Sequence, residues 1–192
     1  MPECVEEQTT KHYRGKWCGF GPVQNDETVL FAVFENQDRR KNTLTADSFS
    51  KNLNSTSESI ARLSYVARAT FRRKIVNNRR LAGVASVIVS KIRDMRVEFE
   101  QQGVKQKVRS VCIVDRVERG DCQGHATMGY SEAIGPPMTQ AYISKLRKKI
   151  RMDLAETFSQ IQPEESYQWP SSIQVLQKRF LSVRRVLVAL RD

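Results

Sequence analysis

No stretch of this 192-residue chain approaches the roughly 18 consecutive apolar residues that a bilayer-spanning helix needs. The opening residues, Met1-Pro2-Glu3-Cys4-Val5-Glu6-Glu7, are acidic and have no apolar centre. That argues against a secretory signal and for an intracellular, cytoplasmic protein. The familiar catalytic templates are missing too: no Walker A loop, no GxGxxG after a strand, no GxSxG and no HExxH. No helix-turn-helix, KH or RRM signature can be read, and no internal repeat or low-complexity tract stands out. Cysteine is sparse. Cys4, Cys18, Cys112 and Cys122 are too few for a disulfide-built miniprotein, and without an export signal all four are expected as free thiols.

One absence is local. From Arg62 to Arg93 there is no Asp or Glu. The net charge of +11 is therefore uneven: −2 over residues 1–50, +10 over 51–110 and +3 over 111–192. A concentrated positive patch raises the local density of polyanions and speeds their encounter. Nucleic acid is the commonest such partner; an anionic membrane surface or an acidic protein would also fit.

Hydrophobic residues make up 40% of the chain, enough for a core at this length. Residues 1–27 read as an irregular lead-in with Trp17 and Phe20 as packing anchors. Thr28–Phe34 is a continuous apolar run rich in β-branched and aromatic residues, which predicts a buried strand. Residues 36–54 form a polar connection that Leu44, Phe49 and Leu53 can pin to the core. Ser55 and Glu58 have capping-box spacing, and Ile60, Leu63, Ala67, Phe71 and Ile75 follow at helical steps, predicting a helix over 55–77. Residues 82–95 fit helix and strand equally, and 101–107 reads as a turn around Gly103. Alternation over 109–131 predicts a β-hairpin. Thr139 is the expected N-cap of a helix to residue 161, with Ile143, Leu146, Ile150, Leu154, Phe158 and Ile161 on its apolar face. Residues 163–170 read as a linker.

The fold expected is α+β: a small antiparallel sheet containing the 109–131 hairpin, packed by two or three amphipathic helices. Residues 1–162 make the basic domain. Residues 171–192 form a C-terminal amphipathic segment, where Ile173, Leu176, Phe180, Val183, Leu187 and Leu190 keep an a/d rhythm suited to docking on the core or on a partner.

Three constellations can carry function. In the first, Arg62, Arg68, Arg72, Arg73, Lys74, Arg79 and Arg80, extended by Lys145, Arg147, Lys148, Lys149 and Arg151, contact phosphates and release condensed counterions. The aromatics fall mostly on core positions, so backbone contact is expected over base readout. In the second, His125, Asp115 and Glu132, with Glu118 and Asp121 at the hairpin tip, supply acid–base groups. In the third, Cys122 and His125 have zinc-like spacing, with Cys4, His12 and Cys18 as further donors, but the paired CxxC of a structural site is missing. Glu98, Glu100 and Lys105 only loosely resemble metal-dependent nuclease spacing. The leading expectation is a non-enzymatic protein that binds the nucleic-acid backbone, alone or as a subunit of an assembly, without a cofactor. The alternatives are an interaction module using 171–191, for a protein partner or for self-association, and an enzyme centred on His125.

Overall fold

A computed structural model describes residues 4, 12–13, 16–17, 22–35, 39–40, 42–49, 58–101, 103–115, 124–135, 138–178 and 181. Among the described residues the strands are β1 His12–Tyr13, β2 Lys16–Trp17, β3 Thr28–Phe34, β4 Arg39–Arg40, β5 Thr43–Leu44, β6 Glu58–Arg62, β7 Leu81–Ile88, β8 Arg96–Gln101, β9 Val104–Arg109, β10 Val111–Asp115 and β11 His125–Tyr130. The helices are α1 Arg68–Phe71, α2 Val89–Asp94 and α3 Gln140–Thr157.

Five strands form the central antiparallel sheet, in the order β10-β11-β6-β3-β7. Side chains on a strand alternate between faces, and the sheet separates two apolar layers. Val29, Phe31, Val33, Ile60, Ile113 and Met128 face one way, where Leu146, Ile150 and Leu154 of α3 cover them. Phe31, Phe49 and Phe158 cluster here, with ring centroids 5.1 to 5.9 Å apart. Leu30, Ala32, Phe34, Ala61 and Val84 face the other way, under Val66, Phe71, Ile75 and Val76. Each fully buried Leu, Ile or Phe contributes about 1.5–3 kcal/mol.

The α+β class, the 28–34 strand and the hairpin follow the sequence closely. Val111 pairs with Tyr130 and Asp115 with Ala126. Thr139 caps α3, its Oγ1 accepting from the Tyr142 N–H at 3.4 Å, but the helix ends at Thr157, short of the expected residue 161, and the Ile161 N–H donates instead to Asn42 O. Leu44 and Phe49 are buried, as expected of pins; Leu53, Trp17's side chain and Phe20 lie outside the described residues.

Other expectations need correction. No helix runs from 55 to 77. Glu58–Arg62 is a central strand paired on both sides, by β3 and β11; a single 3-10 turn follows at Leu63–Tyr65, and the α-helical part begins only at Arg68. A strand buried on both faces does not alternate, so Ile60-Ala61 could be joined to the later residues in a false helical rhythm. The helix continues as a π-type turn, Arg72–Val76, in which the Asn77 N–H donates to Arg72 O. The ambiguous 82–95 segment is both things in turn, β7 and then α2. The turn at Gly103 is narrower than expected and joins β8 to β9; Gly103 has φ +77 there.

Residues 163–170 are not a free linker. The Val84 N–H donates to Gln162 O at 2.8 Å, and the Gln162 N–H returns to Val84 O at 2.9 Å. The Tyr167 hydroxyl donates to Val84 O, and the Trp169 ring packs 4.9 Å from that of Phe71.

Candidate nucleic-acid interface

The basic residues divide over both sides of the sheet. α3 covers one apolar layer and the 66–76 segment the other, so the two expected halves of the patch do not merge.

Arg62 leaves the surface set altogether. Its side chain is 0% exposed, and it bonds Glu27 at 2.6 and 2.7 Å and Asp115 at 3.0 Å. Both acids are buried as well, at 8% and 2% exposure. The guanidinium lies 4.5 Å from the Tyr65 ring centroid. Burial works to lower the Arg62 pKa, but the hydrogen bonds and charges of Glu27 and Asp115 outweigh it, and the net shift is upward. Arg62 is thus a charged centre clamped between two carboxylates inside the protein. Its position in a strand paired on both sides puts it there.

Most other arginines of this region also have internal work. Glu164, itself buried, accepts through Oε1 from Arg68 Nε at 2.8 Å, Arg68 Nη2 at 2.6 Å and Arg72 Nε at 2.7 Å. Arg68 also pairs with Glu165. Arg79 lies over the Phe34 ring, 3.6 Å from its centroid, and donates to Ile75 O and Val76 O at the end of the π-type turn. Arg80 is open to solvent, with Glu35 at 3.9 Å. Arg73 is exposed and has no ion pair among the described residues. The side chain of Lys74 lies outside them.

On the other side, α3 has no Asp or Glu from Gln140 to Met152. Lys145, Lys148 and Lys149 are exposed and make no ion pair among the described residues. At i, i+3 and i+4 they share one helix face. Arg147 is half-buried, and Arg151 is buried at 7% exposure. Arg151 is therefore not a surface contact of the kind expected.

The acid–base trio does not assemble. Asp115 pairs with Ala126, so His125, the next residue, points to the opposite face of the sheet, where it stands across from Ala61. Asp115 holds Arg62. Glu132 is elsewhere, accepting from the Cys4 N–H at 3.0 Å. Glu118, Asp121 and Cys122 lie outside the described residues.

The cysteines also differ from expectation. Cys4 and Cys112 form a disulfide across 108 residues, and both are buried. Among the described residues, Cys4, Cys112 and Glu132 make up the one group with ligand atoms within 4.8 Å of each other. With both sulfurs joined, they are not free to bind a metal. Glu98 and Glu100 stand on the exposed face of the β8–β9 ribbon beside Lys107 and Lys105, with Glu98–Lys107 at 3.4 Å.

Sequence reasoning did not find Glu27, Glu164 or Tyr130. Glu27 and Glu164 carry no local signal, because their partners are 35 and 96 residues away. No family model, curated protein or solved structure matches this chain. Among the described residues no helix is long and apolar enough to cross a membrane.

Proposed function

We propose that the protein binds nucleic acid through its phosphate backbone, and that the exposed face of α3 makes the contact. The reading rests on Lys145, Lys148 and Lys149, three exposed like charges on neighbouring turns of one helix face with no ion pair among the described residues. Such i,i+3 and i,i+4 neighbours repel, at a cost of about 0.2–0.5 kcal/mol per pair. A polyanion offsets that repulsion. Arg73 and Arg80, on the far side of the sheet, cannot reach the same stretch of backbone and are secondary.

The test is binding to labelled DNA and RNA across a salt series. Three phosphate contacts give a slope of log K against log salt of about −2 to −3 on duplex DNA. Reversing Lys145, Lys148 and Lys149 together to Glu should abolish binding in a folded protein, while Arg73→Glu with Arg80→Glu should leave most of it. Unchanged affinity in the lysine triple would remove the proposal.

A second reading has its own support. Ile173, Leu176 and Leu181 are exposed by 68%, 50% and 61%. Ile173 and Leu176 form an apolar face on the short helix over 172–178, suited to a protein partner or a second copy. Phe180, Val183, Leu187 and Leu190, which would extend it, lie outside the described residues. Ile173→Asp with Leu176→Asp should lose self-association by light scattering, or a partner by pull-down, without affecting nucleic-acid affinity. If both properties are unchanged, this reading fails.

A further inference from the structure

Arg151 is buried without a carboxylate bonded to it among the described residues. Burying an ionised side chain costs several kcal/mol unless an opposite charge and hydrogen bonds compensate. Elsewhere this protein meets that requirement: Arg62 has two acids, and Arg68 and Arg72 share Glu164. Arg151 departs from the pattern.

Its neighbour one turn earlier shares the condition. Arg147 lies 4.9 Å from the centroid of the Tyr130 ring, and the Tyr130 hydroxyl donates to Arg147 O at 3.3 Å. The Nε atoms of Arg147 and Arg151 are both buried and both without a hydrogen-bond partner. Arg147 and Arg151 are four residues apart on α3 and so share one helix face, and burial pushes the Tyr130 hydroxyl pKa up against the pull of both. Two cations therefore stand side by side on a helix face where Arg151 is buried and Arg147 half-buried.

We propose that Arg147 and Arg151 form a binding site for a single phosphate group. Guanidinium groups match phosphate oxygens in geometry and form short charge-assisted hydrogen bonds to them. Two cations suit a dianion better than a carboxylate. The site goes beyond the lysine face, since it selects one oxyanion at fixed donors and does not depend on a polymer. Lys148 and Lys149, exposed on the same helix, raise the local concentration of such ligands.

The first measurement is thermal unfolding of the full chain in inorganic phosphate and in chloride at matched ionic strength and pH. A ligand that binds only the folded state raises the midpoint in a saturable way. The expected result is such a rise with phosphate and none with chloride. Arg147→Gln, at a half-buried position, should weaken apparent phosphate affinity roughly ten-fold or more, as expected for loss of a charged hydrogen bond. Arg151→Met should be at least as stable as the parent in chloride, because an uncompensated charge is gone, and should lose the phosphate shift. If Arg151→Met does not fold, Arg147→Gln decides alone.

Equal midpoints in phosphate and chloride, or an undiminished phosphate shift in Arg147→Gln, would overturn the site. Oligonucleotides with and without a 5′-phosphate separate the sources: tighter binding of the phosphorylated one assigns a terminal phosphate, and equal binding a backbone phosphodiester. The two proposals fail separately. A phosphate shift without oligonucleotide binding removes the polymer reading and keeps the site. Oligonucleotide binding without a phosphate shift does the reverse.

Discussion

Replacing Arg62 by Met should remove a large part of the protein's stability. The substitution keeps the side chain's approximate length and deletes its charge. It also deletes three hydrogen bonds, two to Glu27 and one to Asp115. The two carboxylates stay behind, at 8% and 2% exposure, with no cation between them. Removing one partner from a buried ion pair costs about 3–5 kcal/mol, because the residual charge is left uncompensated. Here two like charges remain, so the upper half of that range is expected. A domain of this size has about 5–15 kcal/mol in all. Urea unfolding followed by circular dichroism measures the loss as a lower midpoint at constant m-value. The companion variant replaces all three residues, Arg62→Met, Glu27→Leu and Asp115→Leu. Apolar replacement of a whole buried triad is often neutral or stabilising, so the triple should recover most of what the single lost. A single-variant loss below about 1 kcal/mol, in the range of a surface pair, would refute the reasoning. So would a triple variant less stable than the single.

The Cys4–Cys112 bridge closes a long loop, and reduction, or Cys4→Ser with Cys112→Ser, should cost about 2–4 kcal/mol in the same urea assay. Gly83→Ala should destabilise by about 1–3 kcal/mol, as overpacking does; a Cβ there would stand 2.5 Å from Ile161 Cγ2 and 2.8 Å from Gln162 O. Burial raises the Asp153 pKa in the folded state, against the pull of Lys149. The folded protein therefore favours the protonated acid, and ionisation costs stability as pH rises through the folded value. Asp153→Asn should be more stable than the parent at pH 7, with the gain fading as pH falls through the raised value towards the ordinary 3.8. Glu165 has the opposite sign: its own backbone hydrogen bond and then Arg68 hold its pKa below 4.5, so its contribution is present at neutral pH and lost on acidification. A Glu165→Gln variant should differ from the parent only above that range.

The parts of this fold that could be read in advance are those whose pattern is local. The hairpin strands Val111–Asp115 and His125–Tyr130 are rich in apolar residues, and α3 combines a Thr cap with an apolar face. The β8–β9 ribbon carries the same kind of signal in its first strand, since Val97 and Phe99 alternate with Arg96, Glu98 and Glu100, but its second strand is exposed and polar around Gly103 and resembles a turn. β6 was hidden for a different reason. Its burial on both faces comes from neighbours far away in sequence, and nothing between Glu58 and Arg62 announces them. The candidate site was legible as charge and not as geometry. The sequence shows where the cations cluster along the chain, and not which of them reach the surface: Arg62 and Arg151 are buried. It could not tell that Glu27, Glu35, Glu164 and Asp115 take up several of them, because ion pairing across the fold depends on tertiary contacts.

The strap from Ser159 to Gln162 has a consequence for any shortened form of the chain. β7 is the last strand of the sheet, and the strap satisfies its outer N–H and C=O groups at Val84 and Ser86. Just beyond it, Tyr167 and Trp169 cover Phe71. Cutting the chain after Phe158 would leave an open strand edge next to an uncovered aromatic surface, the combination that templates intermolecular strand addition. The smallest piece that keeps this edge and the Phe71 ring covered extends through Trp169, and a fragment ending at Phe158 should be recovered as aggregate.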